Sequence, residues 1–115
     1  MSHEEAWLFR VDHMLQAIDD VAEHTRAFGR DAFKRDKTRQ QAVLWNFQIL
    51  GEAIQYIPDH VRERYPDLRW RLIRQTRNII VHHYEKIDLD VIWDAIQKDL
   101  PLLRDQLVEL RDREG

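Results

Sequence analysis

Apolar residues recur at spacings of three and four along four long segments of the chain, and charged residues fill the positions between them. Such spacing places the apolar side chains on one face of an α-helix. The pattern predicts helices over residues 4–28, 38–57 and 68–83, a fourth from about 88 to 110, and a short one over 59–65. We therefore expect an all-α fold, an antiparallel bundle of four main helices plus a short helix, with residues 1–115 forming a single domain.

Proline and aspartate mark several boundaries of these helices. Pro58 ends the second helix, and Asp67 is expected to cap the N-terminus of the third. Either Asp88 or Asp90 caps the fourth helix, which Pro101 is expected to kink. The polar segment between the first two helices, residues 30–37, is predicted to be a loop from which Phe33 packs into the core.

The second helix has an apolar surface too wide for one neighbouring helix to cover. We expect one side of it to pack in the core and the other to form a subunit interface. Gly51, in its middle, costs roughly 1 kcal/mol relative to alanine, which indicates that another backbone approaches closely there. The adjacent Glu52 either pairs with an arginine such as Arg77 or points to water.

Composition narrows the class of protein. A chain that is 43% apolar and 34% charged is typical of a folded helical protein, and three glycines and three prolines are too few for a fold with many β-hairpins. The absence of cysteine excludes disulfides, thiol nucleophiles and cysteine-containing zinc sites. No apolar run approaches the roughly 18 residues that cross a bilayer, and the start M-S-H-E-E is unlike a signal peptide, so we expect a cytoplasmic protein with no membrane partner.

The net charge of −3 conceals two basic segments. Residues 26–39 carry six basic and two acidic side chains, and residues 62–86 carry seven basic and three acidic ones. Basic segments on an otherwise acidic chain predict a localised site for a polyanion. The alternative is that charges of both signs alternate along solvated helices and form no common patch.

The candidate chemistry is concentrated between Trp70 and Tyr84. Drawn as a helix, this segment places Arg77 in an apolar stripe that includes Ile73 and Ile80. Burying an unpaired arginine costs several kcal/mol, because its permanent charge loses its hydration. Arg77 should therefore face an acid, a carbonyl group or a cleft that binds an anion.

A second stripe of the same helix carries Asn78, His82 and Glu85. In a regular helix, His82 lies about 7.5 Å along the axis from Arg77 and about 140° around it. The two side chains can therefore meet in one of two ways. Either the helix ends between them, or two copies of the segment face each other across a symmetric interface and share a site.

Several short motifs accompany this segment. Residues 77–84 read R-N-I-I-V-H-H-Y, which fits the pattern R-x4-H-x-Y. The others are G-E-A at 51–53, Y-P at 65–66, W-x-x-I at 70–73, I-D at 87–88 and V-I-W at 91–93. In this order and spacing, from the second helix into the fourth, the chain resembles the HepT-like toxins, a branch of the HEPN ribonuclease superfamily.

The resemblance implies a HEPN-type helical endoribonuclease that acts as a homodimer or higher oligomer, needs no metal or other cofactor, and cleaves mRNA or tRNA as the toxin of a type II toxin–antitoxin system. It assigns Arg77 and His82 as the catalytic pair, brought together in a cleft between two subunits, with Asn78 in a supporting role. His83 lies where relatives often have a small residue, and we predict a supporting role for it at the same site. It also implies that Tyr84 is AMPylated by a cognate MntA-like minimal nucleotidyltransferase antitoxin, which silences the toxin.

RNA cleavage explains why these residue types occur together. The 2′-hydroxyl of RNA is itself the nucleophile, so the protein must supply proton transfer and stabilise the phosphate. Histidine, with an unperturbed pKa of about 6.5, transfers protons at neutral pH. Arginine offers a charged, bidentate fork to the phosphate oxygens. An adenylate on Tyr84 would add bulk and negative charge where the RNA lies.

Other functions fit parts of the sequence. The chain could be a non-catalytic subunit that binds nucleotide or a partner in a nucleotidyltransferase complex, although its Arg77 and His82 favour the enzyme. A DNA-binding regulator is disfavoured because the chain is acidic overall and has no recognisable helix-turn-helix. A metal site at His82, His83 and Asp88 is also disfavoured, because adjacent residues rarely converge on one ion.

Overall fold

The computed structural model describes residues 6–115, which contain helices and connecting turns and no β-strand. The helices are α1 (Leu8–Thr25), α2 (Arg30–Arg35), α3 (Lys37–Ile54), α4 (Asp59–Arg64), α5 (Trp70–His82), α6 (Leu89–Asp94) and α7 (Leu100–Glu114). A 3₁₀ turn covers Tyr84–Lys86, and a π-helical stretch, Ala95–Asp99, joins α6 to α7. The predicted all-α fold is confirmed. Residues 4 and 5 of the predicted first helix lie outside the described range, within which no helix is long and apolar enough to span a bilayer.

Ion pairs between α1 and α7 show how the long helices are oriented. Asp12 pairs with Arg111 at 3.3 Å, and Asp19 pairs with Arg104 at 2.8 Å. From Asp12 to Asp19 the chain advances seven residues along α1, while the paired arginines, Arg111 and Arg104, go back seven residues along α7. The two helices run antiparallel, as the bundle prediction requires.

The core lies where α3 packs between α1 and α5 and where α7 closes against α1. Its fully buried side chains come from several helices and include Val11, Met14, Val21, Phe33, Val43, Leu50, Ile54, Val61, Leu103, Leu107 and Leu110. Removing one such side chain from water contributes roughly 1.5–3 kcal/mol. Because α3 has a helix on each side, its wide apolar surface is largely used within this chain.

The prediction that residues 30–37 form a loop is wrong, because Arg30–Arg35 forms α2. This six-residue helix buries a single side chain. It therefore has no repeating apolar pattern from which a helix could be predicted. That side chain is Phe33, which is fully buried and packs against Trp93 with ring centroids 5.3 Å apart. The predicted packing of Phe33 into the core is confirmed.

The predicted cap of α5 is also wrong, whereas that of α6 is confirmed. Helix α5 begins at Trp70 without a side-chain cap, three residues after Asp67. The buried Leu68 accepts a hydrogen bond from the Trp70 amide at 2.8 Å, so the chain makes one more turn before the helix starts. At α6, the Asp88 carboxylate accepts a hydrogen bond from the Asp90 amide at 2.9 Å.

Where a kink of the fourth helix is predicted at Pro101, the structure has a π-helical stretch just before the proline. Proline has no amide hydrogen, and its ring clashes with the carbonyl four residues earlier in a regular helix. The π-helical Ala95–Asp99 lies immediately before α7 and contains that carbonyl, at Gln97. A wider turn relieves the clash without ending the helix.

Part of the basic segment 26–39 is used to hold α2 against α6. Arg30 pairs with Asp90 at 3.0 Å and with Asp94 at 2.7 Å, and Lys34 pairs with Asp90 at 2.9 Å. Hydrogen bonds from Lys34 and then Arg30 hold the pKa of Asp90 below its ordinary value. These pairs favour a structural role for this end of the basic segment over a path for a polyanion.

Candidate functional site

Helices α3 and α5 approach most closely where Arg77 crosses Gly51. A Cβ atom at Gly51 would lie 2.4 Å from both Cβ and Cδ of Arg77, so the aliphatic part of Arg77 rests on the backbone of α3. Its Nη2 atom donates to Oε2 of Glu52 at 3.3 Å, and the side chain is about one-third exposed, at 32%. The structure thus places Arg77 beside an acid, in a position fixed by the glycine.

The pairing with Glu52 leaves Arg77 able to bind an anion. A guanidinium group has five N–H donors, and the hydrogen bond to Glu52 uses one of them. At 3.3 Å, that bond is slightly longer than the usual range of about 2.7–3.2 Å for N–H···O distances. The charge is therefore positioned by α3 but remains available to a phosphate.

We predict that replacing Gly51 with alanine destabilises the protein by about 1–3 kcal/mol, the usual cost of overpacking. Helix propensity alone would give the opposite sign, a gain of up to about 1 kcal/mol. The new methyl group would overlap Cβ of Arg77, which is attached to the α5 backbone and cannot rotate away. Urea unfolding of the variant measures the difference. Gly29→Ala is the control, because nothing lies within 4 Å of a Cβ there. A Gly51→Ala protein as stable as the wild type would contradict the argument.

His82 is exposed at the last residue of α5, and the helix runs unbroken from Arg77 to His82. Of the two ways in which these side chains could meet, an end of the helix between them is therefore ruled out. Within one chain they point about 140° apart around the helix axis. Their meeting across two copies of the chain remains a prediction.

The chain leaves the helix directly after His82. The backbone of His83 has φ −137° and ψ 40°, and its amide donates to the Ile79 carbonyl at 2.8 Å. Both His83 and Asn78 are exposed. Asn78 precedes His82 by four residues and shares its stripe, whereas Glu85 lies in the 3₁₀ turn and has left it.

Tyr84 begins the 3₁₀ turn and is 53% exposed. It lies at the side of α5 that faces α3. The residues that line a recess of about 130 Å³ with it are Gln41, Leu44, Trp45, Gln48 and Ile80. Its side chain is therefore accessible at the edge of the groove between the two helices.

Several large apolar side chains near this site are exposed. Trp45 is 64% exposed, Val81 46% and Ile79 43%. Single exposed apolar residues are ordinary on a monomer, but three of them on the two helices that carry one site favour an interaction surface. This surface includes the outer side of α3, where the sequence predicts a subunit interface.

A second recess, of about 360 Å³, borders Glu52 on the α1 side and was not anticipated from the sequence. Arg10 lines it, with its guanidinium stacked 3.7 Å from the ring centroid of Tyr56 and 4.7 Å from that of Phe9. Phe9 and Arg10 lie on α1, whereas Tyr56 lies in the turn after α3. Only the packing of α1 against α3 brings them together, so no local pattern could reveal the recess.

Fold and site together define a class of small helical proteins that carry R-x4-H-x-Y at the end of an exposed helix. The family described as "Ribonuclease HepT-like" matches residues 14–110. The chain belongs to this HepT-like ribonuclease family.

Individual relatives give the same result. A protein of Methanocaldococcus jannaschii named "Putative RNase" is 31% identical over 107 residues, which are 93% of this chain and 97% of the relative. A "Probable ribonuclease HepT" of Thermococcus cleftensis is 31% identical over 101 residues, 88% of this chain and 92% of the relative. A "Gamma-glutamylcyclotransferase and putative RNase" of M. jannaschii is 30% identical over 102 residues, 89% of this chain, but the chain spans only 46% of that relative. No solved structure matches the chain.

Proposed function

We propose that the protein is a metal-independent endoribonuclease whose active site pairs Arg77 of one subunit with His82 of a second copy. One observation supports a site shared by two subunits. Helix α5 is regular through Arg77 and His82, so within one chain their side chains point about 140° apart around the helix axis. The family and the names of the relatives support RNA as the substrate. Within the cell, we place the protein in the cytoplasm and assign it the role of a toxin.

The reaction uses the 2′-hydroxyl of the RNA as nucleophile. His82 accepts the proton of this hydroxyl while the 2′-oxygen attacks phosphorus. The bond from phosphorus to the 5′-oxygen breaks, and the leaving oxygen takes a proton from the imidazolium or from water. Arg77 stabilises the added negative charge on the non-bridging oxygens. The products are a 2′,3′-cyclic phosphate and a 5′-hydroxyl.

The second subunit docks on the exposed apolar surface around the site. Trp45, Ile79 and Val81 supply this surface, and each is more than two-fifths exposed. A two-fold interface uses the same patch on both copies, so each motif segment faces its counterpart. Two equivalent sites result, each with an arginine from one subunit and a histidine from the other.

RNA cleavage in the presence of EDTA tests the proposal. Purified protein is expected to cut labelled single-stranded RNA with chelator present and to leave 2′,3′-cyclic phosphate ends, which end-group analysis identifies. Loss of activity in EDTA, restored by a divalent metal, would contradict the metal-free mechanism. If wild-type protein with unmodified Tyr84, as shown by intact mass, cuts no RNA, the non-catalytic partner subunit becomes the better assignment.

Tyr84 is the proposed regulatory position. A MntA-like minimal nucleotidyltransferase transfers AMP to its hydroxyl, which blocks the entry of RNA by bulk and charge. Its 53% exposure supports access by such an enzyme.

After co-expression with this enzyme, we expect wild-type protein to gain the mass of adenylate and to lose RNase activity. Tyr84→Phe should gain no adenylate and remain active. Tyr56→Phe is a matched control, because Tyr56 is 50% exposed on the same protein. Adenylate on Tyr84→Phe, or its loss from Tyr56→Phe, would contradict the assignment.

A further inference from the structure

We propose that the solvent face of α5 is a binding track for the backbone of single-stranded RNA, in which Arg71 and Arg74 bind phosphates that flank the scissile one. We call this face the α5 stripe and define it by Arg71, Arg74, Asn78 and His82. The inference rests on the proposed ribonuclease function. It adds the residues that hold the substrate to those that cleave it.

The first argument is geometric. The members of the α5 stripe are spaced by three, four and four residues, which keeps them within an arc of about 80° on a regular helix. All four side chains are exposed, whereas Ile73 and Ile80 are buried on the opposite face. The stripe extends about 16 Å along the axis and ends at His82. A chain that follows it passes the candidate proton acceptor.

The second argument is electrostatic. Four other arginines of residues 62–86 have carboxylate partners: Arg62 with Asp59, Arg64 with Glu114, Arg69 with Asp99 and Arg77 with Glu52. Within residues 6–115, Arg71 and Arg74 have no carboxylate at salt-bridge distance. Arg74 lines a shallow recess that also contains Asp59 and Glu63, but it forms an ion pair with neither, and Asp59 pairs with Arg62. The stripe therefore presents two cations without internal neutralisation.

Phosphates are the ligand that this arrangement suits best. Arginine side chains that extend from one helix face into solvent can each contact a different phosphate along a flexible strand. No acid lies within the stripe to repel the backbone, and Asn78 adds a neutral hydrogen-bonding group between the cations and His82. Such contacts carry no base preference, so they hold the strand irrespective of its sequence.

Salt dependence gives a quantitative test. Each phosphate contact to a single strand contributes about 0.7 to the slope of log affinity against log salt concentration. Loss of two contacts should make the slope shallower by about 1.4. At 0.1 M salt, this corresponds to an affinity loss of about 5-fold per contact and about 25-fold for both.

The experiment measures binding of a fluorescently labelled single-stranded RNA of 20 nucleotides by anisotropy, from 50 to 300 mM NaCl. All proteins carry His82→Ala so that the RNA remains intact. The test variant adds Arg71→Gln and Arg74→Gln. The control adds Arg35→Gln and Lys37→Gln, which remove the same charge from exposed side chains outside the α5 stripe. Circular dichroism confirms that each protein is folded.

We expect the stripe variant to show the shallower slope and the control to retain the parent slope. Equal slopes for the stripe variant and its parent, or equal changes in both double variants, would overturn the track. Equal changes in both double variants would mean that net charge alone explains the effect.

Failure of the binding track can be distinguished from failure of the proposed nuclease activity. Active wild-type protein with unchanged slopes overturns the track alone, whereas stripe-dependent binding by a wild-type chain that cuts no RNA overturns the nuclease alone.

Discussion

Replacing Arg77 or His82 with alanine is expected to lower the rate of RNA cleavage by about 10²–10⁴-fold without unfolding the protein. General acid–base catalysis by a positioned side chain typically contributes a factor of this size, and the loss of a charged group that stabilises the transition state has a similar effect. His82 is exposed and Arg77 is partly exposed, so neither substitution removes a core side chain. For His82→Ala, the loss should therefore appear in activity and not in the unfolding midpoint. Arg77→Ala also removes the aliphatic contact with Gly51 and should lower the midpoint slightly.

Conservative and surface variants separate the chemistry from general damage. Arg77→Lys keeps the charge but loses the bidentate fork, so it should recover only part of the activity. His60→Ala removes an exposed histidine from α4 and should cut RNA at the wild-type rate. The measurement is single-turnover cleavage of labelled RNA at saturating protein. A His82→Ala protein with more than one-tenth of the wild-type rate would remove His82 from the catalytic role.

Much of the site geometry could be predicted because it depends on local spacing. The helical period alone placed Arg77 in an apolar stripe and His82 about 140° away. Gly51 in the middle of a helix predicts the close approach of another backbone, and the structure shows that the approaching group is instead the side chain of Arg77. The sequence also paired this arginine with Glu52 as one of two possibilities. The sequence did not predict whether α5 continues to His82, because the ends of a helix depend on hydrogen bonds made in the folded protein.

Other features escaped prediction for physical reasons that differ from case to case. Helix α2 is too short for a periodic pattern, and its position is set by Phe33 and by ion pairs with α6. Asp67 has the right chemistry for a cap, but the buried Leu68 keeps the chain turned there. The recess beside Arg10 exists only because α1 packs against α3. These features depend on tertiary packing, which overrides local preference.

The close approach of Arg77 to Gly51 connects the fold to the proposed chemistry. Helix α3 is anchored on both sides, by α1 and by α5, and so provides a rigid support for the arginine. Catalytic groups must be held by packed neighbours to within a fraction of an ångström to be effective. His82, in contrast, lies at a helix end without packed support in its own chain. A second subunit would supply that support, so we propose that assembly is a condition for activity.

Mixed dimers give the sharpest test of a site shared between subunits. When an Arg77→Ala chain is paired with a His82→Ala chain, one of the two sites loses both residues and the other retains both. The mixed dimer should therefore recover about half of the wild-type activity, although each variant alone is nearly inactive. Co-expression of the two chains with different affinity tags, followed by two successive purifications, isolates this dimer for the cleavage assay.

The control reverses the arrangement. A wild-type chain paired with the Arg77→Ala/His82→Ala double variant has one residue missing from each shared site, so this dimer should be inactive. If each site were instead built within one chain, the wild-type chain would remain competent and this dimer would retain about half of the activity, whereas the first mixed dimer would have none. The two models therefore predict opposite results for the same pair of proteins. Because α5 holds Arg77 and His82 apart in each chain, we expect activity only in the dimer that combines the two single variants.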